Sequence, residues 1–271
     1  MARMLLFPAE PSRQHPHKDI NMTRLPKVLA AAGLAAALVP AAAAAQESPH
    51  SFSGKVALYS EYEFRGLAQT HEDPALQLSL DYGHASGFYV GTFLSNIEWL
   101  EKTAQANGFD TDAKLEWDIY AGYRAELAPG WLLDVGYLRY EYPSSGAFSP
   151  KPNTDEVYAS IGYGMFNVKY SYAFSDAFGF ADSEGSDFLE ANVAWPAMEN
   201  LTVTGHVGHQ RFKNSGDFDY TVWKVGAAYD FGNGLNAGAY YKGTDAEESL
   251  YTVLGKDWSR DRLVAFVSYS F

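Results

Sequence analysis

From Phe52 onward the chain alternates apolar and polar residues in segments about ten residues long. A period of two is the signature of half-buried strands and does not fit the 3.6-residue repeat of a helix. Val56, Leu58, Tyr62 and Phe64 share one face of the first segment, and Lys55, Tyr59, Glu61, Glu63 and Arg65 share the other. Leu76, Leu78, Leu80 and Tyr82 alternate with Gln77, Ser79 and Asp81. Leu115, Trp117, Ile119, Ala121 and Tyr123 alternate with Glu116, Asp118, Tyr120, Gly122 and Arg124. The pattern recurs over 166–175 and 223–230. Each segment has about the 9–11 residues that a tilted membrane-crossing strand needs. No apolar run near 18 residues follows residue 45, so a helical membrane protein is excluded.

The connections also alternate. Short turns at 84–87, 128–130, 164–165, 196–200 and 232–234 separate mostly longer polar links at 67–74, 97–112, 143–153, 176–186, 212–218 and 245–260. Five short and six long links join twelve strands, and an even count returns both ends to one side. The expected fold is therefore all-β: one closed antiparallel transmembrane β-barrel over 46–271, with short periplasmic turns and longer external loops.

Which face meets lipid follows from the side chains. In hydrocarbon every backbone polar group must be paired within the protein, so membrane strands close into a barrel. Its polar face then lines the lumen. Here the polar face holds many full charges while the other holds large aromatics, drawn from 19 Tyr and 17 Phe. A soluble lipocalin-type barrel reverses that arrangement and has eight strands. One segment resists. In 131–142, Leu133, Val135 and Tyr137 read outward, but Arg139 and Glu141 follow on the same face. A bulge, or a strand end above the apolar band, accommodates them.

Ahead of the barrel, Arg24 and Lys27 precede an apolar stretch from Val28 to Val39 and small residues at 43–45. This reads as a secretory signal over 22–45 with cleavage near Ala45. Residues 1–21 read as a mis-assigned start or leader before Met22. Removing 1–45 leaves 15 basic and 31 acidic residues. That balance argues against a nucleic-acid partner, which needs clustered Lys and Arg. The chain has no cysteine, so it has no thiol nucleophile and no thiolate metal site.

Candidate lumen residues are Glu61, Glu63, Arg65, Asp81, Glu116, Asp118, Arg124, Lys169, Glu190 and Lys224. Lys55, Lys114, Lys242 and Arg262 also read inward, as do Glu126, Asp134, Glu156 and Asp230. The charges are near balance, so they either line a weakly cation-preferring channel or pair across the interior and largely fill it. Most of the negative excess falls in the external links, which read as solvated surface. In the last strand Leu263, Ala265, Val267, Tyr269 and Phe271 form an apolar stripe. Val267, Tyr269 and Phe271 resemble the assembly signal of outer-membrane barrels, whose partner is the barrel-assembly machinery. His206 and His209 lie three apart, an odd spacing that sends them to opposite faces of a strand. No metal site, cofactor or catalytic residue is read, and the sequence expectation is that the protein is not an enzyme.

The blocks Phe64-Arg65-Gly66-Leu67-Ala68-Gln69-Thr70, Pro74-Ala75-Leu76-Gln77 and Asp81 through Thr92 resemble the opening of the TorF-type porin family. Glu116 through Tyr123, Asp134-Val135-Gly136-Tyr137 and Glu156-Val157-Tyr158 resemble its later blocks. The sequence departs at Leu67-Ala68, where that family often has Ile-Ser, and at Phe93, where it often has Trp. The resemblance implies an outer-membrane location beside lipid and lipopolysaccharide, and passive passage of small solutes. The alternatives are a plugged structural or adhesive barrel with ligand-binding loops and, behind it, an outer-membrane enzyme.

Overall fold

The structure, a computed structural model, describes residues 48–271. The leader over 1–21 and the signal over 22–45 with its cleavage site fall outside the described residues. Twelve long strands occur among those described: β1 (His50–Tyr59), β2 (Ala75–His84), β3 (Phe88–Asn96), β4 (Leu115–Ala128), β5 (Trp131–Glu141), β6 (Thr154–Tyr163), β7 (Phe166–Ala173), β8 (Asp187–Met198), β9 (Leu201–Arg211), β10 (Tyr220–Gly232), β11 (Leu235–Thr244) and β12 (Arg262–Ser270). Each is antiparallel to its sequence neighbour, and β12 pairs with β1 to close the barrel. Closure leaves no row of unpaired backbone groups, the condition for strands in hydrocarbon.

The sides of the wall follow the alternation. Outward side chains such as Leu58, Leu76, Ile119, Val225 and Leu263 are exposed, and the residues between them are buried or half-buried. The final stripe behaves alike: Val267, Tyr269 and Phe271 face out, while Val264 and Phe266 face in. Phe271 exchanges both backbone hydrogen bonds with Gly54 of β1 (2.9 and 3.0 Å). A Cβ at Gly54 would lie 2.6 Å from the Phe271 ring, so a larger residue there makes that exposed ring shift.

Arg139 and Glu141 are at a strand end, not on a bulge. The β5–β6 register runs unbroken from Trp131↔Tyr163 to Tyr140↔Thr154. Arg139 bonds Asp155 and Glu141, both at 2.8 Å. Tyr137 donates its hydroxyl to Asp155 at 2.6 Å. Arg139 thus bridges two carboxylates at the loop end of the wall, which leaves the cluster one net negative charge. Because the cluster is partly exposed, Arg139→Ala is expected to lower barrel stability by no more than about 1 kcal/mol, read from urea refolding.

Two expectations need correction. The first strand was expected to run through Arg65, but β1 ends at Tyr59, so the first long link is 60–74 rather than 67–74. Glu61, Glu63 and Arg65 are therefore not wall residues. They ride on a loop that turns into the barrel, and the alternation persists because that loop forms a hairpin of its own, Glu63–Phe64 against Leu67–Ala68. Lys114 was expected to face inward, yet it precedes β4 and pairs with Glu101 at 2.8 Å on the exterior. Glu101 lies in a short helix, α1 (Trp99–Ala106), which buries Leu100 and Ala104 over the loop end.

The long links are also more than solvated surface. Asp110, Asp112, Asp182, Glu184, Glu247 and Glu248 are exposed. Beneath them Phe178, Phe180, Phe212, Phe218 and Tyr251 pack together with Tyr220 and Val222 of β10. That aromatic layer covers the loop end of the barrel.

Candidate functional site

Toward the loop end the lumen wall is segregated by charge. Lys224, Lys242 and Arg262 are directly paired across β10, β11 and β12 (Lys224↔Lys242, Lys242↔Arg262), so three cations occupy one rung. Like charges facing each other across strands are destabilising unless anions are brought to them. Six strands away around the ring, β4 and β6 flank β5. Their inward residues Glu116, Asp118 and Glu156 are all buried. In a closed ring of twelve, β5 lies diametrically opposite β11, so an acidic wall faces a basic one.

The 60–74 loop sits between them. Its tip residues Arg65 and Gly66 have φ of +47° and +91°, as a two-residue hairpin turn of the mirror-image class requires. Gly66 is seated so closely that a Cβ would lie 2.7 Å from Thr244 Cγ2 and 2.8 Å from Val222 Cγ2. Toward the basic wall, Glu63 accepts from Lys224 (3.0 Å), Glu61 pairs with Arg262, and the Gly66 carbonyl accepts from Lys242 (2.7 Å). Toward the acidic side, Arg65 donates to Glu156 (2.8 Å), and toward β9 it donates to Gln210 (2.9 Å). Its guanidinium also stacks over Phe188, 4.6 Å from the ring centroid. Tyr62 and Tyr142 donate their hydroxyls to Glu116. Asp118 is fully buried, and neither carboxylate oxygen has a hydrogen-bond partner among the described residues.

The last long link holds the base of this loop. Ala68 donates its N–H to the Trp258 carbonyl (3.0 Å), Lys256 donates to the His71 carbonyl (2.7 Å), and Arg262 bonds Glu72 (2.9 Å). The Trp258 indole N–H donates to His71 Nδ1 at 2.9 Å, which needs that nitrogen unprotonated. Burial, with Lys256 and Lys102 nearby, holds the His71 imidazole below its ordinary value of 6.5, against the pull of Glu98 and Glu72. A lowered value means the anchored loop binds fewer protons than the released one. Anchorage is therefore complete above about pH 6.5 and fades as pH falls below it. Loop release, seen as larger conductance fluctuations at about pH 5 than at about pH 7.5, is expected to be blunted in His71→Gln, which keeps an acceptor but does not titrate.

Toward the turn end the lumen is polar and half-buried. Arg124 pairs with Asp134 (2.9 Å), which also accepts from Tyr89, and Tyr120 donates to Asp81 (2.7 Å). Gly122 and Gly136 leave room for the Tyr89 and Tyr158 rings lying across them. Lys169 sits 4.4 Å over Tyr158. Glu190 and Asn192 neighbour His206, which hydrogen-bonds Asn192 at 2.8 Å, while His209 faces outward toward Thr221.

Of the expected lumen residues, the structure places Asp81, Glu116, Asp118, Arg124, Lys169, Glu190 and Lys224 on inward strand faces. Glu61, Glu63 and Arg65 reach the interior on the loop. Sequence reasoning set Tyr62 on the apolar face, whereas it is buried with its hydroxyl on Glu116, and it missed Tyr140, Tyr142 and Gln210, which help to seat the loop. The Arg65-Gly66 pair between short apolar runs was the one local sign of a hairpin there.

A closed twelve-stranded antiparallel barrel, apolar outside and charged inside, defines the chain as a transmembrane β-barrel of porin type. Its fold is similar to that of the KdgM porin (12% identity, 81% of this chain and 99% of that chain covered, TM-score 0.53) and to that of the NanC porin (12%, 82% and 99%, TM-score 0.53). A KdgM porin in complex with disordered oligogalacturonate is also similar (11% identity, 81% and 98%, TM-score 0.51). No curated protein matches the chain significantly in sequence. Residues 43–271 match the family described as "Bacterial protein of unknown function (Gcw_chp)", and the chain belongs to that family. The match names that family and not the TorF type.

Proposed function

We propose that the protein is a TorF-like outer-membrane porin for passive diffusion of small hydrophilic solutes or ions, narrowed by its own 60–74 loop. The observation that carries this reading is the one-residue alternation between a lipid-compatible exterior and an ionised interior. Val225 points out at 58% exposure, while its neighbour Lys224 is buried in the lumen. A wall built only to be solid has no need of charge, because apolar residues of similar volume fill an interior at least as stably. In this reading Asp81, Glu116, Asp118, Arg124, Lys169, Glu190 and Lys224 line the path. Glu61, Glu63 and Arg65 constrict it.

The reading includes export through the 22–45 signal with cleavage near Ala45. Val267, Tyr269 and Phe271 serve as the signal for the barrel-assembly machinery, and the external loops lie beside lipopolysaccharide. The oligogalacturonate bound by the KdgM porin supports small hydrophilic solutes as the class of cargo. A second reading, a plugged barrel with a structural or adhesive role, is favoured by one feature: every charged residue at the loop tip is already paired. Swelling of proteoliposomes in neutral sugars of increasing size separates the two. A channel gives swelling rates that fall with solute size, and a plug gives none above protein-free vesicles.

A further inference from the structure

The 60–74 hairpin is itself a dipolar object. It presents the Glu61 and Glu63 carboxylates to the Lys224–Lys242–Arg262 rung and the Arg65 guanidinium to Glu156 on the opposite wall. Without the hairpin, three cations on adjacent strands would face three carboxylates across the lumen. Asp118, fully buried with neither oxygen hydrogen-bonded among the described residues, adds a third carboxyl group to that wall. Two opposed walls of opposite sign set up a field across the path, strengthened by low-dielectric surroundings.

A solute in that field is sorted by its charge arrangement. A neutral sugar can hydrogen-bond to either wall but carries no charge for the field to act on. An anion is attracted by the basic rung but meets the facing carboxylates, and like-charge juxtaposition is a strong means of rejection. A cation meets the converse. A molecule carrying an ammonium group and a carboxylate can turn one toward each wall and satisfies both. Building on the channel reading above, we propose that the lumen takes small zwitterionic amino-carboxylate solutes, and that the 60–74 hairpin occupies the place such a solute takes.

The test is initial uptake of radiolabelled glutamine (zwitterion), arabinose (neutral) and gluconate (anion) by proteoliposomes holding the full-length Arg65→Ala protein, whose hairpin is released from that place. Glutamine is expected to enter roughly tenfold faster than the other two, equivalent to about 1.4 kcal/mol. The preference is expected to collapse in about 1 M KCl, where the screening length shrinks to about 3 Å. It is also expected to shrink in Lys224→Gln and in Glu116→Gln, two variants on opposite walls, each checked for folding by heat-modifiable gel migration. Equal entry of the three solutes, faster entry of gluconate, or a preference untouched in both folded variants overturns the proposal while leaving a channel in place. No uptake of any solute, in the wild type and in Arg65→Ala alike, overturns the channel reading and the proposal with it.

Discussion

Replacing Arg65 by alanine is expected to raise the conductance of the reconstituted protein several-fold while leaving the folded barrel's heat-modifiable gel migration unchanged. Arg65 is buried and meets Glu156, Gln210 and Tyr140 at once, on three different strands. Removing one member of a buried ion pair costs about 3–5 kcal/mol, because the other charge is left without compensation. That loss falls on the seated loop, not on the wall, whose strand ladder takes from this segment only Ser60, bonded to Ala265 of β12. The cheapest response is for the hairpin to leave and water to solvate Glu156. An unchanged conductance would show that Glu63–Lys224, Glu61–Arg262 and the apolar packing of Phe64 hold the loop without its tip.

The second large effect belongs to the outer face. Val225 lies near the middle of β10 and points outward. Val225→Arg places a cation against the hydrocarbon, at an expected cost of about 2–4 kcal/mol at the bilayer midplane. Urea-dependent refolding into vesicles measures it. The contrast with Lys224 makes the prediction sharp. One residue earlier, a cation of the same sign is native, because successive side chains in a strand point to opposite faces. A cost of only a few tenths of a kcal/mol would place Val225 at the interface and shift the membrane band along the barrel.

Much of this architecture was legible in the sequence because a transmembrane barrel writes its geometry as a strict alternation. The strands around Trp117, Val168 and Val225 appear as expected, and so do the tight turns at 128–130, 164–165 and 232–234. The first loop was not legible, for a physical reason. The lumen and the lipid impose the same period of two on a wall strand that the Glu63–Ala68 hairpin imposes on itself, so pattern alone carried β1 six residues too far. The inward charges of Glu116, Asp118 and Lys224 could be assigned strand by strand. Their segregation into opposed walls could not, because it depends on which strands stand six apart around a closed ring. The pairing of Arg139 with Asp155 and Glu141 also needed coordinates, since the sequence shows only that charges fall on the apolar face.

Single-channel recording of the purified protein in a planar bilayer across a salt gradient tests the central claim most directly. A charged lumen narrowed by a seated loop gives small discrete conductance steps in the wild type, larger steps in Arg65→Ala, and a measurable reversal potential in both. Silence from both proteins, with folding confirmed by gel migration, would contradict the channel and leave a barrel filled by its own loop.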